Sequence, residues 1–179
     1  MKHTLIENRK LASVILALAI AGSILLTGGG GLKSRRGAVE QTFYGDMSIQ
    51  YDLNARAEAA YNILSVARRY AVIDDQLVGA ADDARQALTD AQAIAGKAAA
   101  NTALARAIED LYNEVVNADL TEKDESFAKG QYAEFKSRSM TIGHNAFNQN
   151  AEAYNRDLGN FPASFIGRLC GIVPIDLFV

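Results

Sequence analysis

The stretch FNQNAEAYNRDLGNFP, residues 147–162, decides how the rest of the chain is read. Its apolar positions are Phe147, Ala151, Tyr154, Leu158 and Phe161, in steps of four, three, four and three. At about 3.6 residues per turn, that spacing gathers all five side chains on one helical face. The seam is expected to close at Phe161-Pro162, because proline disfavours helical geometry in the residue before it. A helix with one apolar stripe must bury it, so partner helices are expected upstream.

They can be followed backwards along the chain. Both prolines, Pro162 and Pro174, lie near the C-terminus, so none interrupts residues 1–161. Thr121 to Asp124 reads as a capping box opening a last helix, which then runs through Phe127, Phe135 and Ile142 into the seam, about 38 residues in all. Before it, Leu104, Ile108, Leu111 and Val115 form the stripe of a helix capped by Asn101 or Thr102. Leu77, Ala81, Ala84, Leu88, Ala91 and Ala95 mark another over residues 75–96, with Asp74-Asp75 as turn or N-cap. A first helix starts near Gly37 and carries two adjoining stripes. One is Ile49, Leu53, Ala57, Ala60, Leu64 and Ala67; the other is Ile63, Val66, Tyr70, Ile73 and Leu77. At about 1.5 Å per residue, its residues 38–71 would reach roughly 50 Å. The expectation is an all-α chain whose body is an elongated, antiparallel bundle of three or four helices.

The N-terminal segment has a different character. Leu11 to Leu32 contains no charged residue, and Lys2, Arg9 and Lys10 precede it while Lys33, Arg35 and Arg36 follow. A bilayer crossing needs about 20 apolar residues, so residues 11–32 suffice. Two readings stand. The preferred one is a retained single-pass transmembrane helix joined to the body by a flexible glycine run, Gly28 to Gly31. The other is a signal peptide cut within that run, where Thr27-Gly28-Gly29 supplies small residues. Leu26-Thr27-Gly28 also resembles the start of a lipobox, but Gly29 stands where the lipidated cysteine would be. The order of basic start, apolar run and small residues points to a body lying outside the cytoplasm. The net charge of −3 divides unevenly: residues 1–36 hold six Lys/Arg against one acid, the remainder twelve against twenty. An acidic body is a poor match for phosphate backbones, so no nucleic-acid partner is expected.

The tail, Ala163 to Val179, is apolar and interrupted by Gly167, Gly171 and Pro174. Phe165, Ile166, Leu169, Ile172, Leu177 and Phe178 are each worth about 1.5–3 kcal/mol when buried. The expected arrangement is a tail folded over the bundle, with a partner-binding or membrane-touching tail as the alternative.

Together these residues resemble the LemA family. Phe147-Asn148, Tyr154-Asn155, Phe161-Pro162 and the closing Phe178 look like its C-terminal signature. Upstream, Gln50, Leu53, Arg56, Asn62, Leu64, Val66 and Tyr70 fall where the family has its Arg, Asn-Leu-Val and Tyr positions, and Ala84-Arg85 matches a later pair. The similarity spans residues 39–178. Two departures stand out: the family's Ile-Pro-Asn-Leu is here Ala60-Tyr61-Asn62-Ile63-Leu64, and its Tyr-Pro is Ala118-Asp119. The resemblance implies a bacterial, membrane-anchored, antiparallel helical bundle, with no catalytic residues and no cofactor to carry over. The chain then divides into an anchor or signal-like segment at 1–36, a LemA-like bundle at 37–162 and the tail at 163–179.

His3 and His144 are the two histidines and Cys170 the one cysteine, too few for a His/Cys metal cluster. Asp74, Asp75, Asp82 and Asp83 have the oxygens for a divalent cation, but solvated helix ends account for them equally. His144 has Ser139 and Thr141 near in sequence and no orienting acid, so no triad is expected. Cys170, among apolar neighbours, reads as a packed thiol. The glycine run lacks the Lys-Ser/Thr of a phosphate loop. Arg56, Asn62, Tyr70, Asn148, Tyr154, Asn155, Phe161 and Pro162 are the residues expected to matter, as structural and interhelical groups. Polar side chains paired across helices set register as they do in coiled coils. The expected function is non-enzymatic. A bundle tied to the bacterial cell membrane through residues 11–32 would act as an envelope scaffold or adaptor, with protein partners and self-association. The alternative is a periplasmic or secreted binding module released near Gly28–Gly31. A third, weaker reading is a carboxylate-based hydrolase resting on Asp75 and Asp82.

Overall fold

The structure, a computed structural model, describes residues 9–179. Lys2 of the basic start, and His3, lie outside the described residues. Among the described residues there are seven helices and no strand. They are α1 (Arg9–Tyr44), α2 (Ile49–Ala67), α3 (Asp75–Asp90), α4 (Ile94–Val115), α5 (Glu122–Gly143), α6 (Phe147–Gly159) and α7 (Ala163–Leu169). The chain forms two compact units. One takes residues 9–40 with 150–175; the other takes Gln41–Gln149 with Asp176–Val179.

The second unit holds a four-helix bundle, at the upper end of the expected three or four. Helix α2 packs on α5, α3 and α4, and α4 also packs on α3 and α5. The loops between consecutive helices are short, which makes neighbours antiparallel. The core follows the stripes read from sequence: Ile49, Leu53, Ala60, Ile63, Leu64 and Val66 of α2 and Leu104, Ile108, Leu111 and Val115 of α4 are all buried. Helix α5 differs. It buries Ala128 and Phe135, while Phe127 is exposed, because the face turned inward is the one carrying Asp124 and Gln131.

The two long helices expected at either end of the body are each broken. The first breaks at Gly45–Ser48. There Met47 adopts a positive φ of 51° and Ser48 caps α2, its hydroxyl accepting from the Tyr51 amide at 3.3 Å. The last breaks at His144–Ala146. The Asn145 side chain accepts from the Phe147 amide at 2.9 Å and so starts α6. Both breaks follow ordinary stop and start chemistry, with glycine at or near the end of one helix and Ser or Asn capping the next. The α3–α4 break is also displaced from its expected place. Helix α4 begins at Ile94, not at Asn101 or Thr102, and Gly96–Asn101 lies within it. An alanine-rich stretch costs little as helix, and Ile94, Lys97 and Ala98 are buried there.

In the first unit, α1 continues as helix through Gly28–Gly31, so the run is not the flexible joint expected of it. A Cβ on Gly28 would come within 2.9 Å of Ile166 Cδ1, and one on Gly29 within 2.6 Å of Cys170 Sγ. Glycine at these two positions allows the close approach of α1 to α7 without displacing the Ile166 or Cys170 side chain, and does not serve a bend.

Candidate functional site

Five polar contacts join α2 and its C-terminal turn to α5. Arg138 Nη1 meets Asp52 Oδ1 at 3.1 Å; Arg56 lies over the Phe135 ring at 3.9 Å and donates to the Phe135 carbonyl at 3.3 Å. Further along, Asn62 Nδ2 donates to Gln131 Oε1 at 2.9 Å, and Arg69 and the Tyr70 hydroxyl each donate to Asp124 at 2.7 Å. Numbers rise on α2 as they fall on α5, so one antiparallel register satisfies every pair. A slip of one turn would break them together. Tyr70 does more than pair. Its oxygen accepts from the Thr121 amide at 3.1 Å, at the N-cap of α5. Thr121 Oγ1 accepts from the Asp124 amide at 3.3 Å, the forward half of the expected capping box. The return half is replaced, because the Asp124 carboxylate turns to Tyr70 and Arg69. The Tyr70 hydroxyl holds the Asp124 carboxyl below the usual carboxylate range, aided by the Arg69 charge and by hydrogen bonds from Thr121 and Arg69, against an opposing effect of burial.

Arg56 is the largest fully buried side chain, 1% exposed, and its Nε and Nη2 have no hydrogen-bond partner. Burial brings its pKa down to about 10, so it is charged at neutral pH. A buried cation resting on one carbonyl and one ring face is held in place but incompletely compensated.

The two aromatic-asparagine pairs of α6 divide their work. Phe147 and Tyr154 go into the core, Phe147 5.1 Å from Phe43 and the Tyr154 hydroxyl donating to the Leu32 carbonyl at 3.3 Å. The neighbouring amides each grip the backbone of the tail twice. Asn155 donates to the Ile175 carbonyl and accepts from its amide, both at 2.8 Å; Asn148 does the same with Phe178, both at 2.8 Å. Seven helical residues rise about 10.5 Å and three extended residues span about 10 Å, so the spacing of the two asparagines suits the spacing of the two residues they hold. Such an amide reads main chain, not side chain, as an edge strand does. Leu158 continues the seam at 7% exposed, but Phe161 is 85% exposed, because α6 ends at Gly159 and the periodicity ends with it. Pro162 follows a cis Phe161–Pro162 bond and precedes α7.

A family model described as LemA family matches residues 46–179, more than half of the chain. The chain belongs to the LemA family. In this LemA chain the matched region takes in the whole α2–α5 bundle, both aromatic-asparagine pairs and the tail they clamp. Searches of curated proteins and of solved structures find no match.

The other groups singled out in sequence stand apart from these LemA features. Asp74 caps α3 by accepting from the Gln76 amide at 2.8 Å, and Asp82 pairs with Arg68 at 2.7 Å and Arg85 at 2.8 Å. Among the described residues no group of three His, Cys, Asp or Glu comes together in metal-binding fashion. His144 is the exposed C-cap of α5, and Cys170 is a half-buried free thiol. The sequence reading missed Asp52 and Arg138, and it took Asp124 only as a cap and Phe135 only as an apolar position. The signal of the pairing groups, charged residues at helical spacing on α2 (Asp52) and on α5 (Asp124, Arg138), is indistinguishable from a solvated face until the partner helix is placed.

Proposed function

We propose that this LemA-family chain is a non-enzymatic scaffold or adaptor, held in the bacterial cell membrane by residues 11–32 with its bundle on the periplasmic side. The observation that carries the reading is the surface of α1. Its most apolar stretch is not buried inside the protein. Val14, Leu16, Leu18 and Leu26 are between 54% and 80% exposed. A helix of that length and composition is a candidate membrane span, and acyl chains would remove the cost of so much apolar surface in water. The non-enzymatic part is supported by where the charged groups lie: the described ion pairs sit on helix faces and caps. Protein partners and self-association suit a clamped, polar-surfaced bundle on a tether. The test is fractionation with protease accessibility. The intact chain should stay with membranes after alkaline carbonate washing, and the bundle should be cleaved by protease added to spheroplasts. N-terminal sequencing beginning at Met1 would support the tether. A start near Gly30 together with a soluble product would establish the released binding module in its place. Crosslinking in membranes that recovered only monomer would count against the scaffold role.

A further inference from the structure

We propose that α7 is a second membrane contact, with Phe165 and Leu169, and Phe161 just ahead of them, inserted among acyl chains of the leaflet that receives the C-terminal end of the α1 span. The proposal rests on the anchor reading above. Helix α7 has two unlike faces. Ile166 and Gly167 are buried, and the Ile166 side chain abuts Gly28 of α1. Cys170, just past α7, lies against Gly29 with its sulfur 4.0 Å from the Leu25 carbonyl. The other face is open: Phe161 is 85% exposed, Phe165 58% and Leu169 58%. These three residues line an apolar groove with Ala21, Ile24 and Leu25 of α1.

The depth of that groove selects its occupant. Its α1 wall and the glycines beneath α7 are residues 21–29, whereas the first cation after the uncharged run is Lys33. Four to twelve helical residues amount to roughly 6–18 Å, so the groove lies on the lipid side of Lys33, Arg35 and Arg36, while Ala163 at the start of α7 sits beside Ser34 and Arg35 at the level of those cations. If Ile24 and Leu25 face acyl chains, so must the aromatic and aliphatic groups that share their groove. Exposed apolar surface continuous with a span is what an interfacial helix presents. Arg168, the one charged residue of α7, has a stem long enough to carry its guanidinium back toward headgroup phosphates.

The test uses the full chain, with Cys170→Ser, reconstituted in phosphatidylglycerol–phosphatidylethanolamine vesicles. Environment-sensitive fluorophores are placed singly through Phe165→Cys, Leu169→Cys, Leu18→Cys and Thr89→Cys. An interfacial helix sits about 5–10 Å into the headgroup–acyl boundary, so lipids with a nitroxide high on the acyl chain should dim the labels at 165 and 169 roughly twofold. Aqueous iodide should leave those two bright and quench the label at 89. If iodide quenches 165 and 169 while lipid nitroxide still quenches 18, the α7 contact is overturned and the anchor stands. If 18 also escapes lipid quenching, the anchor itself falls. Labels at 165 and 169 shielded from both quenchers would mean that protein covers the groove, which also overturns the proposal. Phe165 and Leu169 are more than half exposed, so labelling them removes little packing, and two sites guard against one perturbed label.

Discussion

Arg56 concentrates the conflict between local chemistry and burial. Its guanidinium keeps its charge at neutral pH although burial lowers its pKa from 12.5 to about 10. That difference corresponds to a cost of the order of 3 kcal/mol. The folded value lies below the unfolded one, so the cost is felt in full at neutral pH and is relieved only as pH rises past about 10. Arg56→Met, which keeps most of the volume without the charge, is expected to be neutral or to stabilise the bundle by about 1–3 kcal/mol. Arg56→Ala opens a cavity beside Phe135 and is expected to cost about 2–4 kcal/mol. Denaturant midpoints at pH 7 check both, and a methionine variant as unstable as the alanine one would show that the cation is fully compensated. Asn155 is the opposite case, a polar group with both functions met. Asn155→Ala leaves the Ile175 amide and carbonyl without their partners and is expected to cost about 1–3 kcal/mol. Hydrogen exchange at the Ile175 amide reports the loss directly.

At the scale of elements, the junction of α2 with α5 depends on a carboxylate. Asp124's pKa is lowered in the folded state, so its stabilisation is present above the unfolded carboxylate value of about 3.9 and is lost as pH falls through the folded one. The wild-type chain should therefore lose stability between pH 7 and pH 3 by more than Asp124→Asn does. Parallel acid limbs for the two would show that the Tyr70–Asp124–Arg69 contacts contribute nothing. The close approach of α1 and α7 is set by the missing side chain at Gly29. Gly29→Ala would drive a Cβ to within 2.6 Å of Cys170 Sγ. An expected cost of about 1–3 kcal/mol should be largely recovered by adding Cys170→Ala, because the Cβ of residue 170 is already at ordinary contact distance, 3.5 Å. Thermal unfolding of the two single variants and the double variant in detergent measures that coupling.

For the whole molecule, what matters is how distant segments are joined. Phe43, before the bundle, meets Phe147 at 5.1 Å and Phe178 at 5.7 Å, so the last residues of the chain cover an aromatic cluster begun far upstream. Deleting Asp176–Val179 removes the Phe178 ring and the Asn148 clamp together, with an expected loss of about 2–4 kcal/mol. Denaturant unfolding of the truncated chain checks it, and an unchanged midpoint would show that the tail is only an appendage.

Periodicity alone was enough for the all-α class, the apolar segment at 11–32 and the core stripes of α2 and α4, because each depends on residues within a few turns of one another. The breaks at Gly45–Ser48 and His144–Ala146 were also written locally, as glycine followed by a capping side chain, but continuous apolar stripes on either side masked them. Other features needed the fold. Phe161 continued the seam on paper and lies outside it, since a helix that ends two residues early turns its next side chain elsewhere. Gly28 and Gly29 looked like slack and are contacts, since only a neighbour's position shows what a Cβ would strike. Asp124 read only as part of a helix cap, and nothing in the sequence marked Asp52 or Arg138 as its counterparts further along, until α5 was laid along α2. A side chain's own segment dictates the direction in which it points, whereas its partner is supplied by chain tens of residues away, and that pairing exists only once the helices have packed.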